Sequence, residues 1–147
     1  MSNHTGEHKG SHYTLEWLYV AAVIALLGYA SVDSWIVEKK IDEIPASAIT
    51  IKVVAQQWFW TFEHPDGKKE VGELHLKVGQ AYRFEITSKD VIHSFNVPFY
   101  LSLMDAVPGR INKTWFMADA PGEFLIQCRE YCGLLHYQMR ATLYVEA

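Results

Sequence analysis

From Trp17 to Val32 the chain runs sixteen residues without a charge, WLYVAAVIALLGYASV. A helix crossing a hydrocarbon core of ~30 Å needs about twenty residues. Leu15 before the run, and Ser34, Trp35, Ile36 and Val37 after it, extend the stretch, with Trp17, Tyr19 and Trp35 as interface anchors. The pattern predicts one transmembrane helix over residues 15–37, after a polar tail at 1–14. A cleavable signal peptide is the rival reading, with Gly28-Tyr29-Ala30 as a tolerable cleavage site. Its weakness is the start of the chain, where Lys9 stands against Glu7 and the basic leader is missing. Both readings export the remainder of the chain.

Residues 38–48, EKKIDEIPASA, are charged and then broken by Pro45, which suits a linker. Beyond it the hydrophobic period changes from continuous to alternating. ITIKVVA (49–55), QWFWTF (57–62), ELHLKV (73–78), AYRFEIT (81–87), NKTWFMA (112–118), EFLIQC (123–128) and MRATLYVEA (139–147) read as short strands. His64-Pro65-Asp66-Gly67 and Val78-Gly79-Gln80 read as turns between them. Seven or eight strands in about 100 residues predict an all-β antiparallel sandwich or small barrel over 49–147.

Composition narrows the function classes. Residues 47–147 hold ten basic and eleven acidic side chains, so the net charge of -4 arises mostly in the first 46 residues. With no basic run longer than Lys39-Lys40 or Lys68-Lys69, nucleic acid is not an expected partner. Glu16, near the start of the apolar helix, reads either as a headgroup-level carboxylate at the positive end of the helix dipole or as a proton-uptake residue. His4, His8 and His12 recur every fourth residue in a polar, glycine-containing end, which suits solvation better than a metal site.

The chemistry concentrates at residues 128–139. Cys128, Cys132, His136 and Met139 place two thiols, an imidazole and a thioether within twelve positions. Soft sulfur donors mixed with imidazole suit copper and are poorly explained by magnesium or calcium. A disulfide between cysteines four apart is the bland alternative, but it leaves the adjacent His and Met without a purpose. Gly133 permits a tight bend in this loop, which lies between two strand runs and needs a further His from elsewhere in the sheet. His93, in Asp90-Val91-Ile92-His93-Ser94-Phe95, is the candidate; His64 lies in a turn, and His75 alternates with Leu74 and Leu76 on an outer strand face.

The second cysteine favours two metal ions over one. Bridging thiolates would give each copper two sulfurs, with His93, His136, Met139 and the Glu130 carbonyl completing two four-coordinate sites. A zinc site from Cys128, Cys132, His136 and His93 is conceivable but leaves Met139 unexplained.

Cys-x-Glu-x-Cys-x3-His-x2-Met, the upstream Val-Ile-His-Ser-Phe, Asp105-Ala106-Val107-Pro108-Gly109-Arg110 and Gln57-Trp58-Phe59-Trp60 together resemble cytochrome c oxidase subunit II. The resemblance implies a cupredoxin-like Greek-key domain holding the dinuclear CuA centre. It carries His93, Cys128, Glu130 through its backbone oxygen, Cys132, His136 and Met139 onto the copper ligands. Trp58 matches the family's electron-input tryptophan; its plain alternative is a buried core aromatic, a place that the Trp-Phe-Trp run allows Trp60 to take instead. The Glu130 side chain resembles the residue that reaches a magnesium site at the interface with the catalytic subunit.

Most family members carry two transmembrane helices; a single one resembles the B-type oxidases, where a glutamate near the start of the helix serves the proton channel, and Glu16 fits that place. Glu130 and the Asp-Ala-Val-Pro-Gly-Arg segment look more A-type. The implied protein accepts electrons from a cytochrome c or blue-copper donor and passes them to the catalytic subunit I of a haem-copper oxidase. Its implied place is a prokaryotic cell membrane, crossed once, with the copper domain on the outer side. Lys9 against Lys39 and Lys40 leans the other way, and the copper loop and the resemblance outweigh that margin. A subunit of a copper-containing nitric oxide reductase and a membrane-tethered copper carrier are the competing expectations.

Overall fold

The computed structural model describes residues 9–147, with side chains from Tyr13 onward, so His4, His8, the His12 side chain and most of the 1–14 tail lie outside the described residues. The chain divides into two compact units, Met1–Glu43 and Ile44–Ala147.

The first unit contains α1, Lys9–Asp42. Its apolar side chains are spread around the whole circumference, as a lipid-facing helix requires, rather than confined to one face. The stretch Tyr13–Asp42 is long and apolar enough, by length and composition, to cross a membrane. At ~1.5 Å per residue α1 is longer than a ~30 Å hydrocarbon core is thick. The helix continues past Val37 to Asp42, with Lys39 and Lys40 in its last turn, where cations complement the negative end of the helix dipole.

The second unit packs two five-stranded sheets face to face. Its strands are β1 (Ile49–Gln56), β2 (Phe59–Glu63), β3 (Lys69–Val71), β4 (Glu73–Lys77), β5 (Ala81–Ser88), β6 (His93–Val97), β7 (Ser102–Ala106), β8 (Asn112–Met117), β9 (Gly122–Cys128) and β10 (Arg140–Glu146). One sheet has the order β3-β2-β1-β5-β8 and the other β4-β10-β9-β6-β7. The pairs β1–β5 and β10–β4 are parallel and the other pairings antiparallel, so chain neighbours switch between sheets.

Alternation on the long strands dictates the core. Ile51, Val53 and Ala55 of β1, Trp60 and Phe62 of β2, Phe84 and Ile86 of β5, and Ile126 of β9 and Leu143 of β10 are all fully buried. Each large side chain removed from water contributes ~1.5–3 kcal/mol. Phe95 of β6 pins the two sheets together, its ring 5.5 Å from Trp60, 6.3 Å from Phe62 and 5.6 Å from Phe84.

Three strands escape the sequence pattern. β3 is a three-residue edge strand, too short to show a period. In β6, His93, Ser94 and Phe95 are all buried, so polar and apolar positions do not alternate with exposure. β7 carries exposed Leu103 and Asp105 between buried Ser102 and Ala106, an inverted pattern.

A buried carboxylate joins edge strands of the two sheets. Glu70 of β3, only 5% exposed, accepts from the His75 backbone N–H of β4 at 3.0 Å and from Lys68 Nζ at 2.7 Å. The rings of His64 and His75 approach it at 3.0 and 3.1 Å. Burial pushes its pKa up, but the bonds from Lys68, His64 and the His75 N–H outweigh that and hold it at about 2. His64 and His75 are thus bound to Glu70, and His75 stacks on Tyr144 of β10 on the outer strand face.

Candidate metal centre

β9 and β10 form a hairpin whose ends hold the ligand loop. Cys128 closes β9, and its backbone N–H donates to the Met139 carbonyl at 3.0 Å, so the two are locked opposite each other before β10 begins. Between them Gly133 adopts φ +117, a left-handed conformation that side chains rarely take. A Cβ there would lie 2.9 Å from Gln57 Nε2 and 3.3 Å from the Trp58 indole, so glycine also lets the loop close against the β1–β2 turn.

That turn clamps the loop. Gln57 Nε2 and Trp58 Nε1 both donate to the Cys132 carbonyl, at 2.8 and 3.2 Å. Trp58 is half-buried and reaches the loop, whereas Trp60 is fully buried in the core. The Trp60 ring lies edge-on to His93 at 6.2 Å, and its indole nitrogen has no hydrogen-bond partner among the described residues.

His93 is brought in by β6. Its ligating atom and those of Cys128 and Cys132 all lie within 4.8 Å of one another, and all three residues are buried. The two sulfurs are 3.8 Å apart and both thiols are free, well beyond the ~2.05 Å of a disulfide. His93 Nδ1 lies 3.1 Å from Met139 Sδ and 4.0 Å from Cys128 Sγ. His136 Nδ1 lies 3.5 Å from Cys132 Sγ, Cys128 Sγ is 3.2 Å from the Glu130 carbonyl oxygen, and Met139 Sδ is 3.7 Å from Cys132 Sγ. The six groups expected from the sequence therefore converge, while Glu16 lies on α1, outside this domain.

The donor set fits a thiophilic metal. Bonds of ~2.3 Å from one ion to two sulfurs can span 3.8 Å, and the imidazole and thioether donors flank the pair. Burial, followed by the neighbouring Cys128, pushes the Cys132 thiol up to about 12. A bound cation reverses that penalty by replacing the proton.

Two residues of the site gave no signal as such in the sequence. Asp90 Oδ1 lies 2.8 Å from His93 Nε2, and its Oδ2 accepts the Gln57 N–H at 2.7 Å. Because an ionised carboxylate only accepts, the proton of a neutral His93 sits on Nε2, and Nδ1 presents its lone pair to the sulfurs. Burial raises the pKa of Asp90, but the Gln57 N–H, His93 and the Val91 N–H overcome it and hold the carboxyl at about 2. Gln57 is the second, since it binds both Asp90 and the Cys132 carbonyl. Only the three-residue spacing of Asp90 and His93 hinted at their contact.

Fold and site together define a class: a cupredoxin-like β-sandwich with a buried Cys-Cys-His cluster that could hold metal. The family model described as cytochrome c oxidase subunit II, periplasmic domain, matches residues 70–145. This chain belongs to the cytochrome c oxidase subunit II family. It is 34% identical over 144 residues to a probable cytochrome c oxidase subunit 2 of Rickettsia prowazekii, covering 83% of this chain and 46% of that one. It is 30% identical to cytochrome c oxidase subunit 2 of Yarrowia lipolytica, covering 97% and 72%. The chain spans about half the length of the first curated relatives it matches. The crystal structure of the periplasmic domain of cytochrome oxidase subunit II of Bradyrhizobium japonicum aligns with a TM-score of 0.68 at 32% identity, over 71% of this chain and 88% of that one.

Proposed function

We propose that this chain is the electron-input subunit of a membrane-bound haem-copper oxidase, holding two copper ions on Cys128, Cys132, His93, His136, Met139 and the Glu130 carbonyl. One observation carries the reading: two buried sulfurs 3.8 Å apart, with His93 and Met139 beside them and His136 on Cys132. When bound, the copper pair supplies reversible storage of one electron. The chain's own contribution is a rigid cage. The hairpin bond from Cys128 to Met139, the Gln57 and Trp58 clamp on Cys132 and the Asp90 bond to His93 keep the donors in place in either redox state.

The expected donor is a cytochrome c or a blue-copper protein that docks over the ligand loop. Tyr131, Leu134 and Tyr137 are 76%, 81% and 64% exposed there, and the domain is nearly neutral, which favours apolar docking over strong charge pairing. Trp58, bonded to the Cys132 carbonyl, is the proposed input residue. Glu130, exposed beside the site, is the proposed reach to a magnesium ion shared with the catalytic subunit I, and Glu16 on α1 the proposed proton-uptake residue. The apolar α1 and the periplasmic relative support a single membrane crossing with the copper domain outside. Relatives named as oxidase subunits favour oxygen over nitric oxide as the final acceptor. A freely exchanging copper carrier fits less well, because His93 and Met139 are sealed at 0% and 1% exposure.

The test is metal content of the full chain in detergent micelles after reduction and loading with copper. Two coppers per chain and a purple colour are expected. One copper with a blue spectrum, or a preference for zinc, overturns the dinuclear reading.

A further inference from the structure

Beside the ligand loop lies a cavity of about 270 Å³. Cys128, His136 and Met139 form part of its wall. His93 and Cys132, the other two side-chain donors, do not border it, and they are 0% and 3% exposed. The site is therefore closed from the His93 side and approachable from the Cys128 side, where the residue is 7% exposed and borders the cavity.

The rim of this cavity is cationic for a structural reason. Arg140 of β10 stands opposite Gln127 of β9 in register, and both border the cavity. Arg129 lies two positions beyond Gln127; because Cys128 between them points inward, Arg129 is turned outward toward the same opening. Neither guanidinium has an ion-pair partner among the described residues. Elsewhere in the domain Lys52, Lys68, Lys69, Arg83 and Lys113 each lie 2.7–3.9 Å from a carboxylate, whereas Lys77, Lys89 and Arg110, like the two arginines, have no ion pair among the described residues. What sets Arg129 and Arg140 apart is their place: both are exposed and border a cavity that three candidate ligands also border, a feature that holding the metal does not require.

We propose that this cavity is the port through which copper is loaded, and that Arg129 and Arg140 select copper arriving as a small anionic thiolate complex. The inference rests on the reading that the site holds copper. A cuprous ion carried by two thiolates bears a net negative charge, and guanidinium groups attract such an anion to the opening. Loading is then ligand exchange without electron transfer. The Cys128 sulfur bonds to copper as one carrier thiolate leaves, taking up the proton that Cys128 gives up. Cys132 displaces the second in the same way, so one copper complex and two protein thiols become one bound copper and two free carrier thiols.

The test uses the full chain, metal-free and reduced, in neutral detergent without oxygen. Copper uptake is timed from two probes, cuprous glutathione, which is anionic, and the cuprous acetonitrile complex, which is cationic. Reversing both rim charges, R129E with R140E, is expected to slow uptake from cuprous glutathione about tenfold or more, at the low end of electrostatic steering. Uptake from the acetonitrile complex stays equal or becomes faster. The R129K with R140K pair restores the glutathione rate, and added salt narrows the difference between wild type and the reversed pair. Equal slowing with both probes, or no slowing with glutathione, overturns the port. The final copper content separates the two proposals: a wild-type chain that stops short of two coppers rejects the dinuclear site, while the comparison of rates still decides the port.

Discussion

Asp90 shows how much of this site depends on a residue outside the candidate ligand set. Its two carboxylate oxygens face different elements, Oδ1 the ring of His93 and Oδ2 the backbone of Gln57. One side chain thus sets the orientation of an imidazole and anchors the turn that clamps Cys132. Replacing Asp90 with Asn keeps the shape and removes the charge. Copper affinity is expected to fall ~10- to 100-fold, the usual effect of losing a partner behind a metal ligand. The reduction potential should rise, because a negative charge beside His93 favours the oxidised state. Competition with a cuprous chelator and a potentiometric titration read the two effects. Unchanged values in both would show that the contact is incidental to the site. At the same scale, the sequence allowed Trp58 a core place that Trp60 could take instead, and burial separates them: Trp60 is core, and Trp58 reaches the loop.

Among the elements, β3 is the weakest by length and is held by chemistry rather than by a long ladder. Glu70 draws the edge strands β3 and β4 of the two sheets together through His64, Lys68 and the β4 backbone. Its folded pKa of about 2 lies below the ordinary carboxylate value of 4.5, so the carboxylate is held in its charged form. The stabilisation is fully present above about pH 5 and is lost as pH falls through the folded value. With a side chain only 4% exposed, the contribution is roughly 3 kcal/mol. E70Q is expected to be less stable at pH 7 by a few kcal/mol and to converge on wild type between about pH 4.5 and 2. Urea midpoints followed by tryptophan fluorescence check this; a constant gap down to pH 2 would show that the ion cluster does not stabilise the fold. The hairpin of β9 and β10 has the opposite character, since a regular ladder leads into the loop and Gly133 carries the bend.

Across the whole molecule, the two units divide the apolar helix from the candidate metal centre. Every fully buried large side chain among the described residues lies in the second unit, all but Met139 of the ligand loop on its strands, and the apolar side chains of α1 are exposed. A fragment of residues 44–147 is therefore expected to remain soluble and monomeric without detergent and to bind copper in the same amount as the full chain. Size-exclusion chromatography with metal analysis reads both properties. Aggregation of that fragment would mean that the sandwich depends on the helix for its stability.

The one-dimensional pattern was sufficient for the apolar helix, for the long alternating strands β1, β4, β5, β9 and β10, and for the cluster of soft donors at 128–139. Each of these signals is local: a run of side chains without charge, a period of two, or donor atoms a few residues apart. The strands β3, β6 and β7, the junction of Gln57 and Asp90 with Cys132 and His93, and the arginine-rimmed cavity emerge only when distant segments meet. His93 and Cys128 are 35 residues apart, and Gln57 and Cys132 are 75 apart. No pattern along the chain reports a hydrogen bond across that separation, because its geometry is set by the packing of β6 beside β9 and by the closure of one sheet over the other.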